Sequence, residues 1–368
     1  MKGIECIELR KFITEYKQKN EKNEFKPVAV GKYGIRTRES IYSKELAKDY
    51  SKNKIIFKNT LTVGMGSRQI DIGILTDDVI YSVSPAYHTY KISDINADYL
   101  RYCLMCRNED MFKRFVKRGS RQGKSIDLKR WLEYEIPVYD VCNQEKIVLK
   151  LNKVTNVISM RKQQLQKLDE LIQARFVEMF GDPVCNSHDL PEATLPELGE
   201  FGRGVSKHRP RNDSNLLGGR YPLIQTGDVA TSELYITSYT NTYSELGLKQ
   251  SKMWKKGTLC ITIAATIAKT AILAFDACFP DSVVGFIANE KTNNVFVHYW
   301  FTFFQSILEA QAPESAQKNI NLKILSELKI IVPKKELQDE FVTFVNQVNK
   351  SKLVIKNLLQ IYKHQIQM

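Results

Sequence analysis

Apolar residues recur at alternating spacings of three and four in two long stretches of the chain. The first stretch holds Ile147, Leu151, Val154, Ile158, Leu165, Leu168 and Ile172, and the second holds Phe341, Val345, Val348, Ile355, Leu359, Tyr362 and Ile366. Both sets fall on one heptad frame, offset by 194 residues. The pattern predicts two helices with coiled-coil seams, because a strict alternation of this kind turns one narrow stripe towards a partner helix. Each seam runs for about 30 residues, roughly 50 Å at about 1.5 Å per residue, longer than a small domain is wide. Each helix is therefore expected to pair with the other. Polar residues interrupt the frame at different places, where Arg161 matches Ile355 and Lys352 matches Ile158. Polar seam residues of this kind can fix register. The first helix closes on LDELIQARFVEMFGDP (Leu168–Pro183), where Gly181 supplies a left-handed residue and Pro183 prevents the helix from resuming.

The segments before the helices repeat as well. Lys124, Ile126, Leu128 and Lys129 match Lys318, Ile320, Leu322 and Lys323 at the same offset. A β-like apolar run ending at Pro137 or Pro333 follows in each copy, and the register is restored at Gln144 and Gln338. The chain thus reads as domain, helix, domain, helix: 1–142, 143–182, 183–335 and 336–368. The expected fold class is α+β, with two pseudo-symmetric mixed α/β domains separated by two long helices that form an antiparallel coiled coil. That arrangement would place the domains at the two ends of a rod. Short β-branched runs such as NKIIFKNTLTVG predict strands, and ADYLRYCLMCRNEDMFKRFVKR and VFVHYWFTFFQSILEAQ predict one helical stretch per domain. The most apolar stretch, Thr258–Phe279, has near-membrane length but carries Lys269 centrally and is rich in Thr and Ile. It reads as two buried strands around a turn.

Charge narrows the function. The chain carries 54 Lys and Arg against 41 Asp and Glu, a net charge of +13. This excess favours a polyanion such as nucleic acid as partner. The charged N-terminus is no secretory signal, and seven scattered cysteines suit a reduced, cytoplasmic protein. Cys103 and Cys106 form a CxxC with no second pair or nearby histidine, so a helix face is expected there rather than a zinc site.

Basic residues cluster in segments rich in Gly, Ser and Asn. In the first domain these segments are Gly31–Ser40 and Lys117–Ser125; in the second they are Arg203–Arg211, Gly218–Asp228 and Ser315–Asn319. Lys and Arg neutralise phosphates, while Arg, Gln, Asn and Lys read base edges in the major groove. The residues expected on a DNA face are Arg36, Arg38, Arg121, Gln122 and Lys124 in the first domain. In the second they are Lys207, Arg209, Arg211, Arg220, Gln225, Lys318 and Asn319. Catalytic motifs are missing. There is no P-loop and no GxGxxG, no Asn-Pro-Pro-aromatic segment of an aminomethyltransferase, and the five histidines lack metal spacing. Asp276, Asp281 and Glu290 imitate a nuclease cluster, but no Lys follows at a suitable distance.

LDELIQARFVEMFGDP, the paired IP…Q and VP…LQ segments leading into helices, YPLIQTGDV (Tyr221–Val229) and CFPDSVVGF (Cys278–Phe286) resemble the specificity subunits of type I restriction–modification systems. The resemblance covers the whole chain and is clearer in its second half. It implies that each globular domain is a target-recognition domain for one half of a bipartite, asymmetric DNA sequence. It implies that the helices set the unread spacer and that two methyltransferase subunits dock on the chain. Those partners would bring S-adenosylmethionine, and a restriction subunit would bring ATP and Mg, so this chain holds no cofactor and no metal of its own. Two other readings compete. One is the recognition module of a modification-only or other restriction system. The other is a duplicated coiled-coil adaptor that binds only protein, for which DNA binding would be weak and unsaturable.

Overall fold

Alternating β-branched runs become a sheet at the centre of each half of the chain, wholly antiparallel in the first half and with one parallel edge strand in the second, and in each half a helical layer, a short helix and one strand lead from the sheet into a long helix. In the computed structural model, residues 5–32, 34–41, 49–119, 123–211, 213–264, 266–311 and 320–367 are described. The chain divides into two compact units, Met1–Met160 with Leu359–Met368, and Arg161–Leu358.

The first unit opens with β1 (Glu5–Glu8), β2 (Ile13–Tyr16), the hairpin β3 (Val28–Gly31) and β4 (Gly34–Thr37), and β5 (Lys54–Ile56). Then come β6 (Thr60–Met65), β7 (Ile70–Leu75), β8 (Tyr81–Val83) and β9 (His88–Ile92). Helices α1 (Ala97–Cys106) and α2 (Asn108–Phe115) lead to the hairpin β10 (Val116–Gly119) and β11 (Gly123–Ile126), then α3 (Leu128–Leu132) and β12 (Glu135–Val138). The central sheet has the order β2-β9-β6-β7, all antiparallel. The inner residues Leu61, Val63, Ile72, Ile74 and Tyr90 pack with Leu100, Leu104, Met111 and Phe115 of α1 and α2 and with Trp131. Burying each such side chain stabilises by about 1.5–3 kcal/mol, so this layer is the main source of cohesion in the unit. β1 pairs antiparallel with β12, bringing the start of the domain beside the strand that leads into the long helix.

After α4 (Val141–Phe180), the second unit repeats the scheme: β13 (Glu192–Thr194), α5 (Leu195–Leu198), β14 (Gly199–Arg203), β15 (Leu217–Leu223) and α6 (Thr226–Thr231). There follow β16 (Tyr235–Ile236), β17 (Asn241–Tyr243), α7 (Glu245–Lys249), β18 (Met253–Trp254), β19 (Leu259–Thr262), β20 (Thr270–Leu273), β21 (Ala277–Cys278) and β22 (Val283–Ala288). Helices α8 (Asn294–Gln311) and α9 (Leu322–Glu327), strand β23 (Lys329–Ile331) and α10 (Lys335–Gln367) complete it. The larger sheet, β14-β22-β19-β20-β16, corresponds to β2-β9-β6-β7 with one strand added, and β13 pairs with β23 as β1 does with β12. A second sheet, β17-β15-β21-β18, contains one parallel pair. The expected strand–turn–strand reading of Thr258–Phe279 holds, since β19 and β20 pair antiparallel with fully buried faces. Among the described residues, no helix is long and apolar enough to cross a membrane.

The repeat extends to single hydrogen bonds. Asp127 caps α3 and Asn321 caps α9, each accepting from the backbone N–H three residues on. Gln144, buried near the start of α4, donates to the Tyr139 carbonyl (2.7 Å) and accepts from the Asn96 N–H (3.0 Å). Gln338 does the same in the second unit, donating to the carbonyls of Pro333 (2.8 Å) and Lys291 (3.0 Å) and accepting from the Thr292 hydroxyl (2.9 Å). In both copies the carbonyl lies five residues back, so the glutamine ties the first helical turn to the β-like run before it.

Within the second unit α4 and α10 run antiparallel. Asp169 meets Lys352, Arg175 meets Glu340 (2.9 Å) and Phe176 meets Phe341 (5.4 Å between centroids), so position rises along one helix as it falls along the other. On α10, Phe341, Val345, Val348, Lys352, Ile355 and Leu359 are all buried at alternating spacings of three and four, and Tyr362 is half-buried. The side chain of Ile366 lies outside the described residues. On α4 the expected frame appears as a stripe of half-buried Ile147, Leu151, Val154, Ile158, Leu165 and Leu168 that deepens to Ile172. Two details differ from the sequence reading. Lys352 does not break the α10 seam but is buried within it, and Val148 is buried more deeply than Ile147.

The last turns of α4 belong to the second core. Ile172, Phe176 and Phe180 lie in the core of the second unit, where Phe176 and Phe180 contact Phe296 of α8 and Phe341 of α10 at 5.1–5.7 Å. Gly181 then stops the helix with φ +76°. A Cβ there would stand 2.5 Å from the Ser187 hydroxyl and 2.9 Å from the His188 ring, so a side chain is excluded by space as well as by conformation.

Candidate nucleic-acid interface

In the first unit the expected DNA-facing residues stand on separate elements. Arg36 is exposed on β4. Arg38 follows in the next turn, its guanidinium carbon 5.3 Å from the Tyr50 ring centroid and its Nε buried without a hydrogen-bond partner among the described residues. Lys124 is exposed on β11; its Nζ donates to the Ser67 carbonyl (2.5 Å) in the β6–β7 turn and lies 5.5 Å from the Phe112 ring centroid. Arg121 and Gln122, at the tip of the β10–β11 hairpin, lie outside the described residues. Lys117 on β10 pairs with Asp127 (2.7 Å), which holds that carboxyl below the usual range and anchors the base of the hairpin.

In the second unit, part of the expected set converges. The segment after β14 carries Lys207, Arg209 and Arg211, all exposed. Arg209 and Arg211 both reach Asp281, Arg209 at 3.4 Å and Arg211 closer. Arg209 also donates to the carbonyls of Ser206 (2.6 Å) and His208 (2.9 Å). The Lys207 N–H donates to the Gln250 carbonyl (3.3 Å) and the His208 N–H to the Gln250 side chain (3.1 Å), so the segment is held along the strand edge near β18. His208 meets Asp213 (3.1 Å), whose carboxyl is held low first by the Asn215 N–H and then by this histidine.

Arg220 stands apart, on β15, with Glu245 and the Tyr221 hydroxyl both at 2.9 Å. Gln225 is exposed before α6, and its N–H donates to Asp228 (2.8 Å) in a capping arrangement. Lys318 and Asn319 lie outside the described residues. Sequence reasoning had placed Asp281 only in an imitation nuclease cluster. The structure gives the carboxylates separate partners: Asp276 meets Lys255 (3.0 Å) and the Lys256 N–H (2.8 Å), while Asp281 meets the two arginines. Cys103 and Cys106 lie on α1, as the sequence suggested, and burial pushes both thiols up.

Sequence reasoning also missed a charged cluster in the second unit. Lys352 donates to Asp169 (2.5 Å) and lies 3.1 Å from Glu233, which also meets Lys356. Burial pulls the Lys352 ammonium down, but the Asp169 hydrogen bond and the charge of Glu233 outweigh it and leave the pKa raised. Glu233 is correspondingly lowered, despite the opposing effect of its own burial. Beside the cluster is a crevice of about 280 Å³, lined among others by Asp169, Glu233, His298, Tyr299 and Lys352. His298 accepts from or donates to the Thr270 hydroxyl (2.9 Å), and burial pulls its pKa down to about 4. No group of three or more metal-ligating side chains gathers among the described residues.

The arrangement offers phosphate-neutralising and base-reading groups on two similar scaffolds. A family model described as the type I restriction modification DNA specificity domain matches residues 7–170 and again 192–361. The chain belongs to this family. The two matches coincide with the two structural repeats, so each specificity domain comprises one central sheet, its helical layer and much of the long helix that follows. A Methanocaldococcus jannaschii protein bearing the name of type I restriction enzyme MjaX specificity subunit is 23% identical over 291 residues, which cover 71% of this chain. The chain spans 66% of that relative's length, just under two thirds. Two solved structures share the fold over the full chain. One is from work on complex assembly and conformational transition of the type I R-M system (TM-score 0.58, 16% identity, 96% of that chain covered). The other is the type I restriction-modification system S subunit from M. genitalium (TM-score 0.54, 14% identity, 95% covered).

Proposed function

We propose that this chain is the non-catalytic DNA-recognition subunit of a type I restriction–modification enzyme, reading a bipartite, asymmetric target with one specificity domain per half-site. The observation that carries the reading is the double match to the DNA specificity domain, each copy presenting a basic hairpin or loop from the same kind of scaffold. Two different domains, 1–142 and 183–335, suit an asymmetric target, since they carry different loops. Phosphate contacts supply salt-dependent affinity, and base-edge contacts supply sequence, each correct pair worth about 1–3 kcal/mol. Linking two modest readings in one chain raises the effective concentration of the second once the first is made.

The long helices govern the length of the unread spacer and, with the domains, receive two methyltransferase subunits. Those partners supply S-adenosylmethionine chemistry and flip the target base. A restriction subunit, using ATP and Mg, joins for cleavage, and the complex works on DNA in the cytoplasm. The test is genome-wide detection of methylated bases in the native host with and without this gene. Loss of methylation at one split motif is the expected result; unchanged methylation in a host whose methyltransferase is active would overturn the reading. A second check is substitution of Lys207 and Arg220 by Gln. Weaker DNA binding and a shallower salt slope are expected, by about one unit per lost phosphate contact.

A further inference from the structure

The segment 204–211 and the residues after β21 are locked together. The Gly204 N–H donates to the Val283 carbonyl (2.9 Å), and a Cβ on Gly204 would sit 2.2 Å from the Phe279 carbonyl oxygen and 2.5 Å from that of Pro280. The backbone of the basic segment therefore lies directly against the turn that carries Asp281. That carboxylate receives Arg211 on Oδ1 and Arg209 on Oδ2. Arg209 spends its other contacts on the loop's own carbonyls, at Ser206 and His208, so it holds the loop in shape. Arg211 is held at one end of its fork and remains 44% exposed.

An ion pair this exposed adds little stability. A carboxylate on a face that meets a polyanion also works against affinity. What Asp281 supplies is direction. It takes freedom from a long arginine before binding, and it repels a phosphate that would otherwise capture the guanidinium. An arginine aimed in this way suits the bidentate contact with guanine O6 and N7, the commonest specific contact in the major groove.

We propose that Asp281 is a positioning residue for specificity, which aims Arg211 at a guanine edge in the half-site read by the second domain. The inference rests on the DNA-recognition reading above. The test places Asp281→Asn, Asp281→Glu and Arg211→Gln in the host gene and maps the methylated motif. It also measures binding of each purified full complex to a mixed-sequence 40-base-pair duplex across salt concentrations.

With Asp281→Asn, one guanine position of one half-site should relax by about tenfold while the other half-site is unchanged. Mixed-sequence binding should tighten a few-fold, with a salt slope steeper by about one. Arg211→Gln should relax the same position but weaken mixed-sequence binding, and Asp281→Glu should restore the guanine. A merely structural role would not relax one base while strengthening non-specific binding. If Asp281→Asn fails to accumulate, the other two variants decide: an unchanged motif with Arg211→Gln overturns the proposal. An unchanged motif and affinity with Asp281→Asn overturns it directly and leaves the DNA-recognition reading intact. A wild-type host with no split motif overturns that reading itself.

Discussion

Two buried glutamines do the same work in both halves, and each is answered by groups distant in sequence. Replacing Gln338 by Leu would leave the Thr292 hydroxyl and the carbonyls of Lys291 and Pro333 without their partner. Buried polar groups left in this way cost about 1–3 kcal/mol each, so we expect a loss of at least 2 kcal/mol in denaturant unfolding, and a similar loss for Gln144→Leu. A change below 0.5 kcal/mol in either would mean that these bonds do not hold the helix starts. The sequence showed that Gln144 and Gln338 restore register, but not what they bind, because Asn96 and Thr292 lie more than 40 residues away.

His298 makes a second prediction at this scale. Folded, it stays neutral down to about pH 4, whereas an unfolded histidine takes up its proton near 6.5. Between those values the unfolded state binds more protons, so stability falls as pH drops, by at most about 1.4 kcal/mol per pH unit. Urea midpoints for wild type and His298→Asn should therefore differ more at pH 7 than at pH 5. Equal gaps at the two pH values would refute the buried neutral imidazole.

At the scale of elements, the long helices were the most legible part of the chain. A 3–4 alternation states which face is inward without reference to anything distant, and the heptad frame survived on both α4 and α10. How deeply each position sinks was not legible, since that depends on what covers the stripe. Lys352 shows why: a lysine in an apolar frame looks like a gap until Asp169 on α4 and Glu233 near α6 are seen around it. Its partners remain more than half exposed while Lys352 is buried. Removing the lysine therefore leaves two hydrated carboxylates, and Lys352→Met should cost no more than about 1 kcal/mol. Removing both carboxylates strands a buried cation, and the double variant Asp169→Asn, Glu233→Gln should cost about 3 kcal/mol. Calorimetry on the full chain would check the order of the two variants; the reverse order would show that the cluster is held together some other way. The Glu233 share of this stability is present above the unfolded carboxylate value and is lost as pH falls through the lowered folded one. The Lys352 share persists up to pH 10.5 and is lost above it as pH passes the raised folded value.

For the whole molecule, the duplication made the order of domains and helices readable, since an offset of 194 residues recurs in motifs, caps and seams. The surroundings of the basic side chains were less legible. Exposed charges carry no periodicity, so residue type alone grouped Arg220 with Arg209 and Arg211, although the structure gives it different partners. The partners of Asp281 were not legible because the two arginines it meets lie 70 and 72 residues away. If the helices govern the spacer, inserting one heptad after Leu165 and its matching heptad after Leu359 adds about 10 Å of helix to each. The methylated motif should then keep both half-sites and gain about three unread base pairs at about 3.4 Å each. Altered half-sites would break the division of labour between domains and helices.

The aromatic end of α4 also has a consequence in time. Phe176 and Phe180 bury against Phe296 and Phe341, which leave the ribosome up to about 160 residues later. At about 5–20 residues per second, the newly made helix end waits roughly 10–30 seconds for the surface that covers it. During that interval two phenylalanines beside Ile172 form a sticky tip on a nascent chain whose first domain already has all its strands. Synthesis, rather than the finished fold, is the stage at which this protein most needs protection from its neighbours.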